Sequence, residues 1–274
     1  MPGVGACAML RAELAERAKK YALARQLPHS LSYGEQSVVC FEPFGSDLHG
    51  NFHPASYARI RSHSDWHARL GKVHTTARRS LPAPTAGQRA ELDSCMSSDA
   101  LLMNVFCHPA ALRSEAVARL LGIERKARPL FGLRAHVPLL GGRFDSTEVD
   151  MQIGNLLVEA KLTESDFQRA EKAKVLRYRD LLDVFHEAAL PQSEHYYDSY
   201  QLIRNILAAH DRQASFCVLL DARRVDLIER WYAVLRCVRA AELRTACKVL
   251  TWQELGRALP KGLRIFLTEK YGIS

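Results

Sequence analysis

Four ionisable side chains stand at alternating positions around a Gly-Asn pair: Glu148 and Asp150 before Gly154-Asn155, Glu159 and Lys161 after it. Glycine supplies the positive φ that a two-residue hairpin turn requires at its first position, and the flanking runs alternate with the period of a strand. With the turn centred there, Asp150 lies opposite Glu159 and Glu148 opposite Lys161, side chains about 5 Å apart. Alternate residues share a face, so all four point the same way. Val149, Met151, Ile153, Leu156, Val158, Ala160 and Leu162 form the apolar face, which belongs against a core. An edge hairpin with a merely wet polar face would alternate in the same manner. Directly opposed carboxylates, however, destabilise a sheet unless a cation compensates them, and two carboxylates with room for waters are the usual holders of Mg²⁺. A lysine two residues beyond the second acid then sits beside the metal. There it can orient or help deprotonate a water, or neutralise charge developing on a phosphorane-like transition state.

The elements that must position this hairpin can be read outward from it. Arg134 to Leu140 is a predicted strand and Gly141-Gly142 a turn leading to the hairpin; Thr163 to Phe185 carries mixed charges at helical spacing. Tyr197 to His210 reads as a helix with Leu202, Ile203, Ile206 and Leu207 on its apolar side, Ala214 to Asp221 as a buried strand, and Val225 to Val238 as a helix. Cys247 to Leu250 is a last short strand before a helix from Trp252 to Leu259. Upstream, Ala6 to Leu27 is a predicted helix ended by Pro28, Val38 to Phe44 a short apolar run, Ser97-Ser98-Asp99 the cap of a helix entering Ala100 to Phe106, and Ala110 to Leu121 a helix stopped by Gly122. Strands interleaved with helices define an α/β core with a mixed β-sheet flanked by helices.

The 274 residues are enough to bury a substantial interior. Seven scattered cysteines without a Cys-x-x-Cys pair argue against both a disulfide framework and a zinc ribbon, and for a reducing compartment. The charged, amphipathic N-terminus is unlike a signal peptide, and no run approaches the roughly 18 apolar residues of a membrane span; a cytoplasmic protein is expected. A net charge of +8 favours a polyanionic partner. Between Leu48 and Ala90, seven Lys or Arg and five His face the single acid Asp65. That segment can neutralise phosphates; its aromatics Phe52, Tyr57 and Trp66 either stack on bases or anchor it to the core. The pairs His49/His53 and His63/His67 would share a helical face, but lack a third metal ligand.

Asp150 followed by Glu159-Ala160-Lys161 resembles the motif of the PD-(D/E)-x-K nuclease superfamily, here with Val149 in place of the proline. The surroundings, Val158 to Glu164 with Phe167, Tyr200-Gln201-Leu202-Ile203-Arg204-Asn205, and Ser97 to Phe106, resemble bacterial restriction-endonuclease-like proteins of that superfamily, over about Glu91 to Asp221. The resemblance implies a restriction-endonuclease-like core that hydrolyses phosphodiester bonds, most naturally in DNA, with Mg²⁺ or substituting Mn²⁺ held by Asp150 and Glu159. Lys161 would position or activate the water. Glu148 would be a third acid or a partner for Lys161, with Asp145 as its substitute if the strand starts earlier, and Gln201 would lie near the phosphate or metal. Glu91 and Glu115 are both candidates for the glutamate that some members bring from an early helix. The Pro/Ala/Thr/Gly composition of Leu81 to Gly87 reads as a linker, so residues 1–90 are expected to form a mainly helical, basic extension able to touch nucleic acid, and residues 91–274 the catalytic domain that the resemblance implies. Cutting both strands with one site per chain points to a homodimer, and a methyltransferase or another defence or repair protein is a candidate partner. Two alternatives stay open: a nucleic-acid-binding or assembly protein with this fold and little turnover, and a nuclease of RNA or of structured DNA in repair.

Overall fold

The computed structural model describes residues 3–32, 37–72, 75–76, 79–80 and 90–274. The hairpin forms as its pattern dictates. Strand β2 (Glu148–Ile153) pairs antiparallel with β3 (Leu156–Ala160) through Met151–Val158, Gln152–Leu157 and Ile153–Leu156, the register that sets Asp150 across from Glu159. Gly154 has a φ of 57° at the turn, a value costly for a residue with a Cβ. On the far side of β2 lies β1 (Pro129–Arg134), antiparallel; β4 (Ser215–Leu220) and β5 (Cys247–Thr251) continue the sheet in parallel beyond β3, giving the order β5-β4-β3-β2-β1.

Parallel pairing requires crossovers, and two helices supply them. Helix α1 (Tyr200–Asp211) and helix α2 (Val225–Leu235) bury Leu202, Ile203, Ile206, Trp231 and Val234 with Leu157, Phe216, Val218 and Leu220 of the sheet. The alternate residues Leu156, Val158, Ala160, Cys217 and Leu219 are buried as well. β3 is therefore covered on both faces, and its whole length reads as apolar except at Glu159. Fully burying each of these larger side chains contributes about 2 kcal/mol.

Packing divides the chain into two units: Met1–Cys7 with Ala127–Thr251, which holds the sheet, and Ala8–Lys126 with Trp252–Ser274. The junctions fall after Lys126 and Thr251, whereas composition suggested one near residue 90; the proposed linker Leu81 to Gly87, with His74, Arg78 and Arg89, lies outside the described residues. In the second unit the helices Gly3–Ala24 (from Ala8), Pro54–Arg61, Ser64–Leu70, Ser98–Phe106, Glu115–Leu121, Trp252–Ala258 and Lys261–Tyr271 predominate. Its interior contains a lysine: Lys270 Nζ donates to Asn51 O at 2.7 Å and to Asn51 Oδ1, and lies 4.5 Å from the Phe41 ring centre. Burial drives the Lys270 ammonium well below its ordinary pKa. Phe52, Tyr57 and Trp66 are buried, so the aromatics of the basic segment anchor it to the core. Arg69 and Lys72 of that segment both pair with Asp99.

Two predicted elements differ. The strand expected over Arg134 to Leu140 stops at Arg134 and resumes only as Val137–Pro138, because His136 takes a left-handed backbone (φ 54°) and Pro138 has no N–H to give a ladder. The charged run from Thr163 to Phe185 is broken into a strand, Arg169–Glu171, and the one-turn helices Lys172–Val175 and Leu181–Val184. Side chains compete for its backbone: Glu164 accepts from Leu162 N, Asp166 accepts from Gln168 N, and Gln168 is left-handed at φ 58°. No helix among the described residues is long and apolar enough to cross a membrane, and no disulfide joins the described cysteines.

Candidate active site

The candidate centre arises where β2 and β3 part. Their ladder ends at Met151–Val158, and at the next position the Asp150 carboxylate takes over: its Oδ2 accepts the Ala160 N–H at 2.8 Å. The other edge of β3 stays paired with β4 up to Ala160–Leu219, and Lys161 N donates to Leu219 O at 2.7 Å. One side chain and one neighbouring strand thus fix the backbone that carries Glu159 and Lys161.

Helix α1 closes over these residues. Gln201 and Asn205 stand four apart, on one helical face, and both reach β3. Lys161 Nζ donates to Glu159 Oε1 at 2.8 Å and to Gln201 Oε1 at 2.9 Å, while Asn205 Nδ2 donates to Glu159 Oε2 at 2.8 Å. Arg204 sets the orientation of the Asn205 amide, donating to its Oδ1 from Nε at 3.1 Å and from the guanidinium end at 3.0 Å, so that Nδ2 is the group left for Glu159. Arg204 also donates to the Glu148 backbone carbonyl at 3.1 Å, which ties the helix to the start of β2. Relative exposure is 1% for Glu159, 5% for Lys161, 0% for Asn205 and 3% for Arg204.

Charge dominates this buried group. Burial alone would lower the Lys161 pKa; the carboxylates of Glu159, Glu164 and Asp150, with the Glu159 hydrogen bond, outweigh it and the net shift is upward. Lys161 is therefore a cation, a donor to an oxygen rather than a base, in this arrangement. The Glu159 oxygens each accept one described hydrogen bond, out of roughly four lone-pair sites that a carboxylate offers. Among the described residues no three His, Cys, Asp or Glu gather as a metal cluster. Mg²⁺, however, commonly takes only one or two protein carboxylates and fills the rest of its shell with water and substrate phosphate. Asp150 and Glu159 fit that donor set.

The remaining expected residues fall elsewhere. Glu148 is exposed, with Arg134 as its register partner on β1, so the pairing of Glu148 across from Lys161 does not extend into the ladder that forms. Asp145 accepts from Thr147 N at 2.8 Å, from Tyr200 Oη at 3.0 Å and from Tyr178 Oη. Burial raises its pKa, but the hydrogen bonds from Thr147, Tyr178 and Tyr200 prevail and hold it down at about 2. Asp145 thus anchors the first residue of α1, one position before Gln201. Glu91 pairs with Lys72 at 3.0 Å and Glu115 with Arg119; both belong to the second unit. There His49 meets Asp93 at 3.2 Å and His63 stacks on Trp66 at 4.2 Å; neither histidine pair shares a helix, since His53 and His63 are N-caps.

Asn205 and Arg204 carry no role that the amino-acid sequence alone assigns. Their signal is a pair of polar residues directly beside the apolar stripe of α1, one of them four places after Gln201. The same holds for Arg224, 0% exposed, which donates to the carbonyls of Glu164 (2.6 Å) and Ser165 (3.1 Å) while paired with Asp226 at 2.8 Å, and so holds the loop after Lys161.

A family model described as "Restriction Endonuclease associating with ARP" matches residues 15–272. No curated protein and no solved structure matches the chain.

Two consequences are measurable in urea unfolding. Removing one member of a buried ion pair leaves the other charge uncompensated, so Lys161→Met costs about 3 kcal/mol, and adding Glu159→Gln recovers part of that loss; a double variant as unstable as the sum of the two singles would contradict the pairing. The folded-state pKa of Asp145 is depressed, so its contribution is present above the ordinary carboxylate value near 4 and disappears as pH falls to about 2. The stability difference between the protein and Asp145→Asn therefore shrinks as pH falls through that window, and a difference constant with pH would refute the assignment.

Proposed function

The chain belongs to the family Restriction Endonuclease associating with ARP, and on that premise we propose that Asp150, Glu159 and Lys161 form a PD-(D/E)-x-K centre that hydrolyses phosphodiester bonds in DNA with a divalent metal. The observation that carries this reading is the buried Glu159–Lys161 pair, 2.8 Å apart, held against Gln201 and Asn205 beside the Asp150 carboxylate. A pair of charges withdrawn from water costs stability that an apolar pair would not, and a reaction at this spot gives a reason for keeping it.

Asp150 and Glu159 would hold Mg²⁺, or Mn²⁺ in its place. When bound, the metal polarises the scissile phosphate and lowers the pKa of the attacking water. The chain's own contribution is placement. Asn205, itself fixed by Arg204, turns the Glu159 carboxylate; Gln201 keeps the Lys161 ammonium from folding onto Glu159 alone; and Lys161 donates to oxygen where negative charge develops, an interaction worth more in a water-poor site. The catalytic role is assigned to the unit formed around Ala127–Thr251. A second copy of the chain would provide the second site for a double-strand break. The family description names ARP as an associate, so an ARP protein joins a methyltransferase or other defence or repair protein as a candidate partner.

The test is incubation of plasmid and single-stranded DNA with the purified protein in Mg²⁺, Mn²⁺ or EDTA, beside Asp150→Asn and Lys161→Ala variants shown by circular dichroism to be folded. Metal-dependent nicking or cutting that falls by about 100-fold or more in each variant is expected. Cleavage that persists in both variants, or a protein that binds DNA but leaves it intact in every metal, would refute the proposal.

A further inference from the structure

The segment that leads into the site ends in an exposed hairpin. Val137–Pro138 pairs antiparallel with Phe144–Asp145, and the tip between them turns through Gly141 and Gly142, both left-handed (φ 79° and 71°) with open space where a Cβ would stand. The hairpin is braced from behind: Leu140 N donates to Arg177 O at 2.8 Å, Arg179 N donates to Pro138 O at 3.1 Å, and Asp145 is bound to Tyr178 and to Tyr200 of α1. It enters β2 at the end where Asp150 sits, the end at which antiparallel β3 delivers Glu159 and Lys161.

Its outer surface carries large apolar groups in water. Leu140 is 60% exposed, Phe144 58% and Leu176, from the bracing segment, 46%. Cations outnumber acids around them. Residues 134–145 and 171–180 together contain four arginines and two lysines against Asp145, Glu171 and Asp180; Asp145 is bound by Tyr178 and Tyr200 and Asp180 by Arg179, while Arg143, Lys174 and Arg177 are exposed. Arginine is common at protein interfaces as well, but lysine is depleted there, and Lys172 and Lys174 stand in the bracing segment. An aromatic and an aliphatic tip fringed by cations is instead the composition that wedges between base steps while neighbouring Arg and Lys hold the phosphates.

We propose that this hairpin is the duplex-DNA contact of the catalytic unit, with Phe144 and Leu140 entering the base stack and Arg143, Lys174 and Arg177 lying on the backbone. The choice of DNA rests on the nuclease reading of the adjacent centre; the wedge itself rests on the surface. Because Asp145 bonds to Tyr200, the residue before Gln201, the wedge and the helix that orients Lys161 are joined by one side chain. DNA opened at the hairpin would thus be presented to a backbone register fixed relative to Glu159 and Lys161.

The experiment measures binding in EDTA, where no cleavage competes, to a short duplex carrying 2-aminopurine, by anisotropy for affinity and by 2-aminopurine emission for unstacking. The protein, Leu140→Ala/Phe144→Ala and Arg143→Ala/Arg177→Ala are compared over a salt series, with light scattering for oligomeric state. The wild-type chain should brighten the probe on binding. The apolar double variant should bind about 10-fold more weakly and lose the emission increase, and the arginine double variant should lower the slope of log affinity against log salt by about 2. The proposal is overturned if the wild type fails to bind duplex, if the apolar variant keeps affinity and emission, or if that variant changes only oligomeric state, which would make the hairpin a protein contact. Binding with unstacking but no cleavage in Mg²⁺ would reject the nuclease reading and leave the wedge standing; cleavage without dependence on the hairpin would do the reverse.

Discussion

A single buried ion pair, Glu159 with Lys161, organises the unit that holds the sheet. Charges so far from water are tolerable only where their remaining hydrogen-bonding capacity is met, and each neighbouring element contributes to that. The helix over the sheet supplies Gln201 and Asn205, Arg204 orients Asn205, and Arg224 steadies the loop that follows the lysine. The parting of β2 from β3 makes room, with the Asp150 carboxylate closing the backbone bond that the ladder gives up. Fold and site therefore share one set of contacts: loosening α1 would expose the pair, and removing one of the pair would leave α1 facing an uncompensated charge.

Much of this was legible in the amino-acid sequence, for a physical reason. Gly154-Asn155 fixes a turn, the turn fixes a register, and period-two alternation then places Asp150 across from Glu159 without further information. The periodicity of its helix placed Gln201 on α1, and the resemblance to the nuclease superfamily, not the spacing, set it near the site. Less local features were hidden. Leu157, on the same side of β3 as Glu159, was the sign that this face is covered, yet a single apolar residue among acids reads equally well as a wet edge. Asn205 is polar on a largely apolar helix, and only the fold reveals what it binds. The stretch from Thr163 to Phe185 has helical spacing, but Glu164, Asp166 and the left-handed Gln168 divert its backbone. The aromatics Phe52, Tyr57 and Trp66 had two uses on composition, and burial settles on the core. The junction after Lys126 has no Pro- or Gly-rich signature, so composition drew the eye to Leu81–Gly87.

The electrostatics of the unit follow two patterns. Inside, the described buried charges are satisfied, three pairs by opposite charge, Glu159 with Lys161, Arg224 with Asp226 and Asp221 with Arg223, and Arg204 by the Asn205 amide and the Glu148 carbonyl. Outside, at the hairpin that leads into β2, cations outnumber acids around exposed Leu140 and Phe144. A paired interior beside a predominantly cationic surface suits a polyanionic partner. Membership of a restriction-endonuclease family agrees with such a partner.

The most direct measurement is anomalous diffraction from crystals soaked in Mn²⁺. The account predicts a peak between the carboxylates of Asp150 and Glu159, with Lys161 Nζ still in contact with Gln201, and no peak in crystals of Asp150→Asn. Manganese bound only elsewhere, or absent while the Asp150 and Glu159 contacts remain as they are here, would contradict the claim that these two acids form a metal-dependent centre.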